Sequence, residues 1–305
     1  MKRVAVIDIG TNSVKVTVAD LADAVVIVKE ASQVTRLGRN VDVEGKLSAE
    51  AIQTTLLAIQ SFVATARSLG AVSIVAAGTS ALRDASNGGE LLSAVKSTCG
   101  IDIEIITGNR EASLAFKAVV GDPAVVGANP SNVLVFDIGG GSTEMVWGSA
   151  DGIVRDNVSL NIGAVRLTER HLHTDPPTDA EYAAASRDGA ASVEAFLSGK
   201  GNPSVVCGVG GTATTLAAIV LSSSDVQAKE VSVTDLDATV TRLRALTLEQ
   251  RRSVPFLQPE RADIIVAGAA ILQEILKQAN AASYKASLRG MRYGLLLEQR
   301  DSQNA

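Results

Sequence analysis

"FDIGGGSTEMV" spans residues 136–146, and "IDIGTNSVKV" spans residues 7–16. Each runs an apolar, β-branched strand into Asp-Ile-Gly, passes through small residues, and resumes a strand. Gly139, Gly140 and Gly141 carry no Cβ, so the backbone can turn sharply and direct several N–H groups at one point, a cradle for phosphate oxygens. Ser142 and Thr143 can add hydroxyl donors, and Gly10, Thr11, Asn12 and Ser13 hold the matching places in the first stretch. One glycine-rich turn alone is as well explained by a simple hairpin. Two such turns, each headed by a carboxylate, Asp8 or Asp137, point instead to Mg²⁺ or its waters held beside bound phosphate.

The pattern outside the turns repeats as well. "RVAVIDIG", "VKVTVAD" and "AVVIVKEASQV" predict an opening meander of three strands, and "NVLVFDIGG", "STEMVWG" and "GIVRDNVSL" predict a second. Strands and helices alternate after the first meander. "LSAEAIQTTLLAIQSFVATARSLG" predicts a helix, with Ser48 as N-cap and Gly70 as its stop. "IDIEIITG" reads as a strand and "NREASLAFKAVV" as a helix capped by Asn109. Gly, Pro and Asn cluster in "GDPAVVGANPSN", which predicts a boundary between domains over 1–124 and 125–305. The expectation is an α/β protein of two similar domains facing each other across a cleft, with the last helix returning toward the first domain.

Composition narrows the function classes. A chain of 305 residues, 46% of them hydrophobic, can bury two cores of ordinary size. A net charge of -5 argues against coating nucleic acid or an anionic membrane, so an anion must be gripped by a local site. Cys99 and Cys207 lack metal-ligand spacing and suggest neither a disulfide framework nor a zinc site, which makes a reducing cytoplasm the expected setting. Asp8, Asn12 and Lys15 interrupt the apolar run that a signal peptide would need. Gln273 and Glu274 break "ADIIVAGAAILQEIL" before it could span a bilayer, so that stretch reads as a buried helix.

"DIGTNS", "GTSALRDA", "TGNREA", "DIGGGSTE", "GVGGTATTLAA" and "ERADIIVAGAAIL", in this order, resemble the exopolyphosphatase/guanosine pentaphosphate phosphohydrolase (Ppx/GppA) family of the actin-like ATPase superfamily. The resemblance runs from residue 4 to about 295. It implies two ribonuclease-H-like domains around a phosphate-binding cleft, and the short, two-domain class of the family. The implied activity is Mg²⁺-dependent removal of terminal phosphate from inorganic polyphosphate, short chains above all. The alternatives are hydrolysis of the 5′ terminal phosphate of guanosine pentaphosphate, or a non-catalytic polyphosphate or alarmone sensor linked to the stringent response. An actin-like kinase or ATPase would use the same two loops. A homodimer is among the assemblies left open.

The resemblance also implies roles by position. Glu111 becomes the base that activates water, and Asp137, Glu144 and Asp8 become ligands or water-holders for Mg²⁺. Arg83 in "GTSALRDA" joins the two turns as a phosphate contact, and Gly210, Gly211 and Thr212 in "GVGGTATT" line the cleft. Glu144 shares a strand face with Ser142 and not with Thr143. Two departures stand out: Arg110 precedes Glu111 where most members have an acidic residue, and Tyr293 stands where many carry Glu. His171 and His173, two apart on an expected helix, make a poor metal pair. Arg242, Arg244, Arg251 and Arg252 could meet an extended polyanion, although a solvated helix face is the plainer reading.

Overall fold

The computed structural model describes residues 2–128 and 130–302; Asn129, inside the expected boundary segment, lies outside the described residues. The chain divides into two compact units, one built from the stretch up to Leu114 and the helix beginning at Met291, the other from Ala115–Gly290.

In the first unit β1 (Lys2–Ile9), β2 (Ser13–Leu21) and β3 (Val25–Val34) form the antiparallel meander, and β4 (Ser73–Gly78) and β5 (Ile103–Ile105) add in parallel on the other side of β1. The order is β3-β2-β1-β4-β5. β1 is apolar from Val4 to Ile7 and again at Ile9, because both faces are covered there. Ala5, Ile7 and Ile9 join one core with Ile59, Phe62 and Val63 of the helix Ala49–Ser68. Val4 and Val6 point the other way, into a core with Met291, Leu295 and Leu296 of the helix Met291–Asp301. Gly294 permits that close approach, since a Cβ there would stand 2.2 Å from the Leu114 carbonyl oxygen. Ser48 caps Ala49–Ser68 as read, accepting from the Ala51 amide at 3.1 Å.

Two local readings need correction. The expected strand over 101–108 shortens to Ile103–Ile105, because Thr107 already belongs to the next helix as its cap. The Thr107 hydroxyl accepts from the Arg110 amide at 3.2 Å, so the helix Gly108–Val120 starts earlier than Asn109 would have set it. Glu111 still lies in its first turn.

The second unit repeats the plan. β6 (Val133–Ile138), β7 (Thr143–Gly148) and β8 (Val154–Leu160) form the meander, β9 (Val205–Val209) and then β11 (Ser283–Ala286) follow in parallel, and β10 (Glu230–Ser232) closes the edge antiparallel to β11. The order is β10-β11-β9-β6-β7-β8. The helices Asp179–Leu197, Gly210–Leu221, Val233–Ala245 and Ile265–Gln278 supply the core on this sheet.

The division falls inside the helix Gly108–Val120, ahead of the Gly- and Pro-rich segment 121–132. The start of that segment, at Asp122 and Val125, is anchored within the second unit. The Phe116 ring occupies the space beside Gly148, where a Cβ would come within 2.5 Å of it. Asp122 accepts from Gln227 at 2.8 Å and pairs with Arg289 at 3.3 Å, and Lys285 donates to the Val125 carbonyl at 2.9 Å. Among the described residues no helix is long and apolar enough to cross a membrane.

One helix start carries a testable charge. Thr178 and Glu181 form a reciprocal cap on Asp179–Leu197. The Thr174 hydroxyl, then the Thr178 and His173 amides, hold the Glu181 carboxyl down to about 2. A carboxyl depressed in the folded state stabilises fully above its unfolded value and loses that contribution as pH falls toward the folded one. Glu181→Gln is therefore expected to flatten the decline of Tm between pH about 4.5 and 2. Parallel Tm–pH curves for the two proteins would rule this out.

Candidate active site

The two turns share one hydrogen-bond plan. Gly10 donates to the Ser13 carbonyl at 3.1 Å, and Gly139 donates to the Ser142 carbonyl at 2.9 Å. Register places Asp8 opposite Lys15 in the first hairpin and Asp137 opposite Glu144 in the second. The sheet geometry thus puts two carboxylates on one face in the second unit, where the first unit has a carboxylate and an ammonium.

A segment beyond each meander ties back the turn's carbonyls. In the first unit the Asn12 carbonyl accepts from Thr35 and Arg36, and the Thr11 carbonyl accepts from Gly38. In the second, Ala164 donates to the Gly139 carbonyl at 2.9 Å, Val165 and Arg166 donate to that of Gly140, and the Arg166 side chain donates to that of Gly141 at 2.8 Å. The amides of Gly140 and Gly141 take no part in these bonds. Gly163 makes the arrangement possible: a Cβ there would lie 2.4 Å from the Gly140 carbonyl oxygen.

Side chains at the turns divide by role. Asn12 is buried and its Nδ2 has no hydrogen-bond partner among the described residues, which leaves a donor suited to an anion. Ser142 donates its hydroxyl to Glu144 Oε1 at 2.7 Å, and Ser159 donates to the same oxygen at 2.7 Å. Thr143 departs from the expected phosphate contact through its hydroxyl. It is fully buried, and Oγ1 donates to the Ile162 carbonyl at 2.7 Å, because strand alternation turns it to the core.

"GVGGTATT" forms the end of β9 and the start of the helix Gly210–Leu221. Gly210 has φ 78°, and a Cβ on it would stand 2.0 Å from Asp137 Oδ1. The Asp137 carboxylate therefore rests against the helix N-terminus, where backbone amides favour negative charge. A Cβ on Gly211 would stand 2.2 Å from an Arg261 guanidinium nitrogen. The two glycines make room for Asp137 and Arg261. Thr212 turns away, packing against Gly268. Burial pushes the Arg261 guanidinium below its ordinary value, opposed by the charges of Asp137 and Glu260.

In the first unit, Arg83 Nη1 donates to Glu111 Oε2 at 2.8 Å and to the Ile106 carbonyl at 3.0 Å. Both side chains of the pair are mostly buried, with 19% and 12% exposed. Arg83 thus orients the carboxylate. Arg110 is exposed and pairs with Glu104 and, at 3.2 Å, with Glu298 on the last helix of the same unit.

No group of three or more His, Cys, Asp or Glu forms a metal cage among the described residues. Asp137 and Glu144 nevertheless fit Mg²⁺, which keeps several waters and takes one or two carboxylates together with substrate phosphates. The remaining candidates do not assemble. His171 bonds Asp188 at 2.9 Å, whereas His173 lies beyond the helix Ala164–His171 and bonds the Arg170 carbonyl. Arg244 pairs with Asp179, Arg251 is buried beside Asp175, and Arg252 pairs with Glu249, so these arginines are individually matched to carboxylates.

Gly163, Arg166 and Arg261 carry no signature in the sequence that marks them as neighbours of the turn or of Gly211. "ERADII" was recognisable as a motif, but its Arg meets Gly211 only through the fold.

A doubled meander-plus-parallel sheet, with an acidic residue at the head of each β1- and β6-type turn, defines a protein of two ribonuclease-H-like domains in the actin-like ATPase class. The Ppx/GppA phosphatase family matches residues 14–303, and the chain belongs to that family. It is 33% identical over 297 residues to exopolyphosphatase 2 of Mycobacterium tuberculosis, covering 91% of each chain. A guanosine-5′-triphosphate,3′-diphosphate pyrophosphatase of Aeromonas salmonicida is 29% identical across 97% of this chain and 60% of its own length. Among solved structures, an exopolyphosphatase-like protein superposes with a TM-score of 0.92 at 30% identity, covering 100% of this chain and 99% of its own.

Proposed function

We propose that this chain is an exopolyphosphatase that uses Mg²⁺ to hydrolyse the terminal phosphate of inorganic polyphosphate. The observation that carries the reading is the second turn. Its three consecutive carbonyls are tied to one helix start and to Arg166, so the turn is held in a single shape. Its backbone amides are suited to the terminal phosphoryl oxygens; the first turn, with Asn12 Nδ2, carries anion donors of its own within the first unit. Glu111, fixed by Arg83, orients the attacking water and accepts its proton. The new P–O bond forms to that water oxygen as the bridging P–O bond breaks, and the shortened chain leaves with the bridging oxygen. Mg²⁺ would be held by Asp137, and by Glu144 directly or through water, with Asp8 serving the first turn; when bound it neutralises charge on the phosphates. Ser142 and Ser159 keep Glu144 in place.

The second reading is hydrolysis of guanosine pentaphosphate, which the name of the Aeromonas relative supports. The test is phosphate release from short and long polyphosphate, guanosine pentaphosphate and ATP, with and without Mg²⁺. Fastest release from short polyphosphate fits; release only from the guanosine compound favours the second reading, and no turnover at all leaves a sensor.

Short chains are the proposed substrates, because Arg244, Arg251 and Arg252 each face a carboxylate and the net charge is -5. A long polyanion gains avidity only from many weak contacts beyond the reacting end. During partial digestion of long polyphosphate the whole population is expected to shorten gradually on a gel. Loss of full-length chains without intermediates would contradict this.

Asp137→Ala and Glu144→Ala are expected to raise the Mg²⁺ concentration for half-maximal activity by about tenfold or more, since each removes a charged oxygen donor. Unchanged metal titrations in both would take them out of the metal site. A cytoplasmic setting belongs to the same proposal: Cys99 and Cys207 are free and buried, and burial pushes the Cys207 thiol up.

A further inference from the structure

The helix Ile265–Gln278 is buried along most of its length, and Ile271, Leu272, Ile275 and Leu276 are apolar as such a helix requires. Glu274 breaks the pattern with 9% of its surface exposed. A desolvated carboxylate is costly unless hydrogen bonds or an opposite charge match it. Glu274 Oε2 has no hydrogen-bond partner among the described residues. The Lys277 ammonium stands 3.6 Å away, beyond hydrogen-bond reach, on a side chain that is 72% exposed.

Glu274 and Lys277 both line a cavity of about 640 Å³ within the second unit, and exposed Asp237 lies on its rim. The wall beside them is fixed by a chain of contacts. Tyr182 donates its hydroxyl to Gln273, Gln273 donates to Asp237 at 2.5 Å, and the Arg244 guanidinium lies 3.8 Å over the Tyr182 ring while pairing with Asp179. Val233, Leu236 and Leu276 give the lining an apolar wall. The volume lies in the range of small-molecule pockets, and the lining is mixed, with Ser186 and Asn280 adding polar groups beside the apolar wall. None of the residues assigned to hydrolysis lines it.

We propose that this cavity binds a small aliphatic ammonium ion, with Glu274 Oε2 and Asp237 accepting its N–H donors and the apolar wall taking its methylene stem. Two carboxylates against one ammonium make the lining net negative, which disfavours an anion. Lys277 serves as a tethered counterion that the ligand displaces. A ligand ammonium can approach closer than 3.6 Å and supply the hydrogen bond that Oε2 lacks.

The test is titration calorimetry of the full chain with 1,4-diaminobutane, and with butane-1,4-diol as its uncharged counterpart. Polyphosphate and nucleotides are left out, since a diamine would pair with them directly. The diamine is expected to bind saturably at one site and the diol not at all. Glu274→Gln, which keeps the shape and removes the charge, is expected to weaken the diamine about tenfold or more. Lys277→Ala is expected to tighten it, because the internal competitor is gone. Absence of saturable binding, equal binding of the diol, or unchanged affinity in Glu274→Gln overturns the proposal. Should Glu274→Gln fail to fold by circular dichroism, Asp237→Asn on the exposed rim replaces it, and an unchanged affinity there is equally fatal.

Discussion

Glu111→Gln is expected to lower kcat about a thousandfold while leaving polyphosphate affinity within about threefold of the parent, the range of a lost general base. The amide keeps the volume of the carboxyl, and its oxygen can still accept from Arg83 Nη1, which now stands 2.8 Å from Oε2. Orientation therefore survives and only proton acceptance is lost. The rival account makes Glu111 a first-turn carboxylate that merely complements the dipole of the helix Gly108–Val120. On that account the substitution would cost at most about 1 kcal/mol of stability and leave turnover intact. Single-turnover phosphate release separates the two. Turnover within tenfold of the parent, alongside a lowered Tm, would assign Glu111 to the helix and not to the reaction. Arg83→Ala is the companion measurement: it removes the anchor but not the base, so the expected loss in kcat is about tenfold and smaller than that of Glu111→Gln.

The parts of the architecture that the sequence disclosed are local ones. Each hairpin turn closes within a few residues, so Asp8 with Gly10–Ser13, and Asp137 with Gly139–Ser142, could be read from spacing alone. The face shared by Ser142 and Glu144 followed from a period of two, and the two side chains are hydrogen-bonded. Cap choice was less legible, because Thr107 and Asn109 are both good N-caps and only the hydrogen bond to the Arg110 amide decides between them. The segment 121–132 has the composition of a linker, yet Asp122 and Val125 are held by Gln227, Arg289 and Lys285, residues more than a hundred positions away. Long-range packing of this kind leaves no periodic trace. The same holds for Arg261 against Gly211 and for Arg166 on the Gly141 carbonyl, where an ordinary arginine becomes part of the site only once the sheet is assembled. Arg110 shows the converse. It directly precedes Glu111, where most members of the family carry an acidic residue, but its guanidinium turns outward to Glu104 and Glu298.

Gly163→Ala is the sharper probe of the phosphate cradle, because the residue touches no ligand in the proposed reaction and adds only a methyl group. Its backbone lies in extended conformation at φ -159°, which alanine adopts without strain, so any effect comes from contact. The new Cβ would meet the Gly140 carbonyl oxygen at 2.4 Å, the Gly140 carbonyl carbon at 2.5 Å and the Gly141 carbonyl carbon at 2.7 Å. All three are backbone atoms, so no side-chain rotation relieves the clash, and either the turn or the helix Ala164–His171 must move. Movement breaks the bonds from Ala164, Val165 and Arg166 that hold the turn's carbonyls in place, and the amides lose their common aim. A displacement of about 1 Å at positioned groups costs on the order of a hundredfold in rate, and that is the loss expected in kcat/KM. Gly152→Ala has nothing within 4 Å of its added Cβ but sits at φ +91°, so it serves as a control for strain without contact with the turn. A Gly163→Ala protein with near-parent kcat/KM would show that the shape of the Gly139–Ser142 turn does not set the rate, and the assignment of its amides to the terminal phosphoryl group would fall with it.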